Sequence, residues 1–234
     1  MARALIVIPT YNERGNVLSL VPEIFQNIKD ANILIVDDSS PDDTAGAVKD
    51  MQRTYPNLHL LVREKKEGLG RAYVAGFEWG LKNNYEVLVE MDADFSHRVI
   101  DLHAMFQVLT QDIDFVVGSR WMTGGEVKNW DKFRYLLSRL GNYYAAFVLG
   151  GAINDWTGGF NIWRAEILRR IDMPTLESQG YSFQIEMKYR ALRLNFRGIE
   201  VPIIFEERRL GYSKMSFSII FEAVVQVWRL KSKF

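Results

Sequence analysis

Five short runs of aliphatic and β-branched residues set the strongest constraint on this chain: ALIVI (4–8), ILIVD (33–37), LHLLV (58–62), EVLVEM (86–91) and DFVVGS (114–119). Segments with helical spacing lie between them, near 16–29, 44–54, 70–83 and 99–110. Strand-sized apolar runs alternating with helices read as βαβ units, hence an α/β domain with a mostly parallel, Rossmann-like sheet and helices on both faces. The first four runs are nearly continuous in apolar residues, as strands buried on both faces require. With 234 residues, 48% of them hydrophobic, the chain suits one such domain with a sizeable core.

Sheets of this kind bind ligands beyond the carboxyl ends of their strands. Those ends read PTYNE (9–13), DDSSPDD (37–43), DAD (92–94) and GSR (118–120). Solvated loops explain any one of these polar clusters, but explain four at one rim less well. The charge balance is even, 29 basic against 29 acidic residues, so no global basic field for nucleic acid exists. Cysteine is absent, which excludes a disulfide framework and thiol chemistry and fits a reducing compartment. No apolar stretch reaches the ~20 residues that span a bilayer, and ALIVI is too short for a signal peptide.

The second half changes character. Residues 132–150 carry helical apolar spacing with Arg134 and Arg139 among the apolar positions. The loop DWTGGF (155–160), a helix near 182–195 and a strand RGIEVPIIF (197–205) follow, with Pro202 marking an edge or a bulge. RRLGYSKM (208–215) then leads into a final helix. Two divisions of the chain result: residues 1–215 as the main domain and 216–234 as a C-terminal amphipathic helix.

The glycines of KEGLGRAYVAG (66–76) fall at 68, 70 and 76, which does not match the G-x-G-x-x-G dinucleotide spacing. A glycine turn opening a helix fits better, and its N–H groups can still approach a phosphate. Asp92 and Asp94 at a strand end have two readings. One is a turn whose carboxylates cap backbone N–H groups. The other is a site for Mg²⁺ or Mn²⁺, which favour carboxylate oxygens and leave positions for phosphate and water. Zinc does not fit, because His59, His97 and His103 have no ligand spacing. A metal with a diphosphate implies a nucleotide substrate.

Taken in order, PTYNE, VDDSSPDD, EGLGRAYVAGF, MDADFSH, GSRWMTGG, DWTGGF and RRLGYSKM resemble the dolichol-phosphate mannose synthases, also called polyprenol monophosphomannose synthases. These are family 2 glycosyltransferases with the GT-A fold. The resemblance runs from residue 4 to about 216, and YSFQIEM (181–187) favours the polyprenol-phosphate branch. It implies that Pro9, Tyr11, Glu13, Val36 and Asp38 hold the nucleoside. Asp92, Ala93 and Asp94 match the metal and diphosphate motif, with Asp94 the main ligand. Arg120, Arg208 and Lys214 match cations around the donor and acceptor phosphates, and Arg134 with Ser138 an acceptor-phosphate pair. Ser96 stands where some relatives carry a glutamine ligand. Arg98-Val99 departs from the proline common after the histidine, which affects the shape of the metal loop. Glu90, on another face of its strand, reads as structural.

The implied reaction moves mannose from GDP-mannose to a polyprenyl (dolichyl-type) phosphate, with inversion and with Mg²⁺ or Mn²⁺. A sibling reaction with UDP-glucose or another donor, and a non-catalytic nucleotide-binding subunit, are the alternatives. A lipid acceptor implies a peripheral position at the cytoplasmic face of a membrane, and some family members take their transmembrane helices from a partner subunit. In the last segment Phe217, Ile220, Phe221, Val224, Val225 and Trp228 form one apolar stripe followed by Arg229, Lys231 and Lys233. That helix either packs on the core or lies at a membrane interface.

Overall fold

The computed structural model describes residues 3–151, 153–176, 178, 181–207 and 217–233. Its first half follows the βαβ rhythm: β1 (Ala4–Thr10), α1 (Arg14–Asn27), β2 (Ile33–Asp37), α2 (Thr44–Met51), β3 (Leu58–Val62), α3 (Leu69–Lys82), β4 (Val87–Glu90), α4 (Val99–Val108) and β5 (Phe115–Ser119). The second half adds β6 (Glu126–Val127), α5 (Lys132–Leu149), β7 (Asn161–Arg164), α6 (Ala165–Arg170), α7 (Tyr181–Arg193), β8 (Gly198–Pro202), β9 (Ile204–Phe205) and α8 (Phe217–Lys233).

Seven strands form one sheet in the order β3-β2-β1-β4-β7-β5-β8. All neighbours run parallel except β7, which is antiparallel to β4 and to β5. Period-two alternation divides β1 between the two faces. Leu5 and Val7 join a core with α3, α5, α6, α7 and α8, whereas Ile6 and Ile8 join one with α1 and α4. Helix α3 lies close to the sheet because Gly76 and Gly80 face it. A Cβ at Gly76 would stand 2.3 Å from Val7 Cγ1, so this glycine serves packing and not a dinucleotide.

Two differences from the sequence expectation matter. Strand β7, four residues inside the loop-like stretch after DWTGGF, is a sheet member and brings that loop beside the end of β4. The single strand expected over 197–205 breaks at Ile203: β8 closes the main sheet as its edge strand, ending at Pro202, and β9 pairs with β6.

Helix α8 packs against α5 and α7 through Val227 and Leu230, and the Tyr144 hydroxyl donates to the Val224 carbonyl at 3.0 Å. Val224 and Trp228, both in the apolar stripe, stay exposed on its other side. Among the described residues no helix is long and apolar enough to cross a membrane.

Candidate active site

A cavity of about 410 Å³ opens beyond the carboxyl ends of β1, β2 and β4. Pro9, Tyr11, Glu13 and Asp38 line one end, Asp92, Ala93 and Asp94 the middle, and Arg120, Trp130 and Arg134 the other end.

The first end is held by short-range polar contacts. Asp37 is fully buried and accepts from Thr10 Oγ1 (2.9 Å), from Ser40 Oγ (2.6 Å) and from the Ser40 N–H (2.9 Å), so it ties β1 to the loop after β2. Its neighbour Asp38 lines the cavity and is paired with Arg63 at 2.7 Å. Burial raises the Asp38 carboxyl above its usual range, against the opposing pull of Arg63. At the mouth, the Lys66 ammonium sits 3.8 Å from the centre of the Tyr11 ring.

In the middle, β4 ends at Glu90 and the chain turns sharply. Phe95 adopts φ +64°, a left-handed conformation that a bulky side chain takes at a steric cost. The turn lets Asp94 Oδ1 accept from the Ser96 N–H at 3.1 Å. Asp92 Oδ1 accepts from the Tyr73 hydroxyl at 3.0 Å, and the Asp92 N–H donates to His97 Nδ1 at 3.1 Å. That last bond fixes the neutral His97 tautomer with its proton on Nε2. Burial holds the imidazole pKa below its usual value, and Arg120 adds to this effect against Asp92 and Asp94. Burial also drives the Tyr73 phenol well up, with Asp92 adding to the shift, so Tyr73 stays a donor.

A hard divalent ion fits this donor set. Two carboxylates face one cavity, and the buried Ser96 Oγ beside them has no hydrogen-bond partner among the described residues. No group of three or more His, Cys, Asp or Glu among the described residues is arranged to hold a metal alone. Asp92 and Asp94 are the pair that would hold such an ion, leaving further positions for diphosphate and water, as Mg²⁺ prefers.

The far wall rests on buried charge. Arg120 Nε and Nη2 each donate to the Asp155 carboxylate at 2.7 Å, the Arg120 N–H donates to it at 2.9 Å, and Nη2 also reaches Thr157 Oγ1. Burial raises the Asp155 carboxyl, but the Arg120 charge and bonds outweigh this and leave it lowered. Lys188, from α7 and fully buried, donates to the carbonyls of Asp155 (3.0 Å), Trp156 (3.1 Å) and Gly158 (2.7 Å). Burial brings its pKa down to about 8, against the attraction of Asp155 and Glu90. Glu90 is also fully buried; burial pushes it up to about 7 against the Asn161 hydrogen bond and the Lys188 charge. Arg134 lies 4.1 Å from the centre of the Trp130 ring and pairs with Glu207 at 3.2 Å.

Of the residues expected from the sequence, Pro9, Tyr11, Glu13, Asp38, Asp92, Ala93, Asp94, Arg120 and Arg134 share this cavity. Val36 does not: its side chain is wholly buried in the core, because alternation along β2 turns it toward α3. Ser138 is half-buried on α5 outside the lining, with its carbonyl accepting from Asn142 Nδ2. Arg208 and Lys214 lie outside the described residues. Sequence reasoning missed Lys66, His97, Trp130, Thr157 and Gln184, which also line the cavity. The last two stand within or near motifs already singled out, DWTGGF and YSFQIEM, and could have been found by asking what those motifs face.

Residues 5–172 match the family model described as Glycosyl transferase family 2. A polyprenol monophosphomannose synthase from Mycolicibacterium smegmatis is 43% identical over 234 residues, covering 99% of this chain and 88% of that protein. An undecaprenyl-phosphate mannosyltransferase from Micrococcus luteus is 44% identical over 227 residues, covering 97% and 93%. Among solved structures, a mannosyltransferase from Pyrobaculum calidifontis in complex with GDP-Man and Mn²⁺ superposes with a TM-score of 0.67 at 17% identity, over 99% of this chain and 64% of that longer one. Glucosyl-3-phosphoglycerate synthase from Mycobacterium tuberculosis, with Mn²⁺, UDP and glucosyl-3-phosphoglycerate, gives a TM-score of 0.70 at 13% identity, over 99% and 80%. At these identities the structural likeness speaks for the fold alone.

Proposed function

Because the chain belongs to glycosyl transferase family 2 and has the GT-A fold, we propose that it transfers mannose from GDP-mannose to a polyprenyl phosphate with inversion at the sugar. The observation that carries this reading is the order of groups along one cavity. Pro9, Tyr11, Glu13 and Asp38 stand at one end, a carboxylate pair in the middle, and Arg120 and Arg134 at the other. The two curated relatives, named for polyprenol and undecaprenyl-phosphate chemistry, support the acceptor.

The acceptor phosphate, with a second pKa of ~6, is largely dianionic at neutral pH and needs no strong base. The chain's task is to bring two anions together and to stabilise the departing diphosphate. Arg120, locked by Asp155 and Thr157, offers a preorganised cation. Arg134 is held by Glu207 and Trp130, and an acceptor phosphate would take the place of Glu207. Asp92 and Asp94 would hold Mg²⁺ or Mn²⁺, which when bound neutralises the leaving diphosphate.

A membrane surface completes the proposal. From Arg134 outward, α5 exposes Phe133, Leu136, Leu140, Tyr143 (78%) and Phe147 (83%) along one side. Trp228 and Val224 of the adjoining α8 are exposed as well, followed by Arg229, Lys231 and Lys233. An apolar face with cations beside it suits an interfacial position. Residues 1–215 would then carry the chemistry and 216–234 part of the membrane contact, while α8 also packs inward through Val227 and Leu230.

The test is a panel of sugar nucleotides with a short polyprenyl phosphate in Mn²⁺ or Mg²⁺. Mannosyl transfer from GDP-mannose, abolished by Asp94→Ala, is expected. Transfer only from another donor would move the reading to the sibling reaction, and nucleotide binding without any transfer would make the chain a binding subunit.

A further inference from the structure

Helix α7 delivers Gln184 into the cavity wall, only 2% exposed. Its orientation is fixed by a chain of bonds. Asn161 Nδ2 lies 3.2 Å from the Gly158 carbonyl and 2.6 Å from Glu90 Oε2. A backbone carbonyl can only accept, so the atom facing it is the Asn161 NH₂ group. The same NH₂, which shares its two hydrogens among three acceptors, lies 2.9 Å from Gln184 Oε1, so Gln184 turns its oxygen toward Asn161. The Gln184 NH₂ makes no hydrogen bond among the described residues, although it lies near enough to the buried Glu90 carboxylate to oppose the rise of that group's pKa. A buried amide donor left in this state is uncommon and calls for a partner.

Glycine keeps the neighbouring space open. A Cβ at Gly159 would stand 3.5 Å from Gln184 Nε2, and Gly159 itself lines the cavity. The position is central. On one side the preceding residue, Phe183, packs against Gly70 of α3, whose Tyr73 holds Asp92. On the other, Thr157 and Arg120 begin the cationic wall.

We propose that Gln184 donates from Nε2 to a substrate oxygen at the transfer centre, between the carboxylate pair and the cationic wall. The inference rests on the glycosyl-transfer reading and adds a substrate contact to it. Two oxygens share the required chemistry: a hydroxyl of the donor sugar and an oxygen of the acceptor phosphate. An amide donor cannot act as a base, which suits a nucleophile that already carries its charge.

Gln184→Met keeps the side-chain volume and removes the donor, while Asn161 retains Glu90 and Gly158. Gln184→Glu keeps the oxygen that faces Asn161 and serves if the first variant folds poorly. Calorimetric titration of wild type and variant with GDP, GDP-mannose and a short polyprenyl phosphate, all with Mn²⁺, separates the sources. A sugar contact weakens GDP-mannose binding by about tenfold or more and spares GDP. An acceptor contact weakens the lipid phosphate alone. The thermal midpoint is expected to fall in Gln184→Met, which loses the Asn161 bond, and to change less in Gln184→Glu; the loss of one ligand and not the others is the readout that a merely structural glutamine would not give. Equal binding of all three ligands by variant and wild type overturns the assignment of Gln184. A wild type that binds none of the three overturns the glycosyl-transfer reading instead.

Discussion

Helix α5 carries Phe133, Leu136, Leu140, Tyr143 and Phe147 into solvent, whereas α7 carries Ser182, Gln184, Glu186, Lys188 and Arg190 into the interior. Both depart from the ordinary amphipathic helix, in opposite senses. On α7 the buried Glu186, Lys188 and Arg190 each bind other groups of the protein. Glu186 and Arg190 pair with one another, and Arg190 also binds the Thr175 carbonyl and hydroxyl. Lys188 gathers three carbonyls of the loop that carries Thr157 and Gly158. On α5 the departure is outward, and the apolar residues have no comparable covering: Asn142, Ala145 and Val148 alone are buried. A polar residue turned inward thus builds the cavity wall, and an apolar residue turned outward forms the exposed face proposed above for membrane contact.

If that contrast is right, substitutions on the two helices must act on different observables. Lys188→Met should produce the largest effect. It leaves three carbonyls without their donor and Asp155 with one cation fewer, and removing one member of a buried charge network costs about 3–5 kcal/mol. Denaturant unfolding measures this directly. A variant as stable as wild type would mean that the buried polar face of α7 is incidental. On α5, Phe147→Ser with Tyr143→Ser should leave stability within about 0.5 kcal/mol. The same pair should weaken vesicle binding by about tenfold or more, since burying one large apolar side chain is worth roughly 1.5–3 kcal/mol. A fall in stability with unchanged flotation would show that α5 is covered by this protein itself. The smallest effect is expected on α8. Lys231→Gln should lower binding to anionic vesicles by about 1 kcal/mol for the lost charge, and less in high salt because of screening. Salt-independent binding would confine the membrane contact to the apolar side chains.

The fold of the first half was legible because its strands are continuous apolar runs and its helices are regularly spaced. The rim residues were legible for a related reason: Pro9 stands near the end of β1, and Asp38, Asp92 and Asp94 come within four residues after β2 or β4, so their place is set by the strand. Strand β7 escaped notice because four residues, NIWR, after a glycine loop carry no alternating pattern long enough to read. Its antiparallel pairing with β4 is non-local and cannot be seen in a window of sequence. Val36 lies outside the cavity lining for the opposite reason. It sits one residue before a rim aspartate, but alternation sends it into the core. Lys188 and Gln184 were overlooked because a lysine or glutamine in a helix normally reads as a solvated face. Only the packing of α7 against the DWTGGF loop reverses that reading.

The paired state of the cavity's cations bears on which anions the protein will notice. Of the described cations that line it, Arg120 is matched by Asp155 and Arg134 by Glu207, whereas Lys66 lies over the Tyr11 ring. Both arginines are therefore in contact with a carboxylate before any substrate arrives. A small free phosphate gains little from such a mouth, since at Arg134 it must displace a carboxylate that is already in contact. On the lipid-acceptor reading proposed above, an acceptor confined to a surface beside α5 would face the same competition at a much higher effective concentration, because its search is local and not through bulk solution. Internal counterions would then act as a filter that suppresses response to soluble anions and leaves the advantage to a phosphate delivered by its own lipid tether.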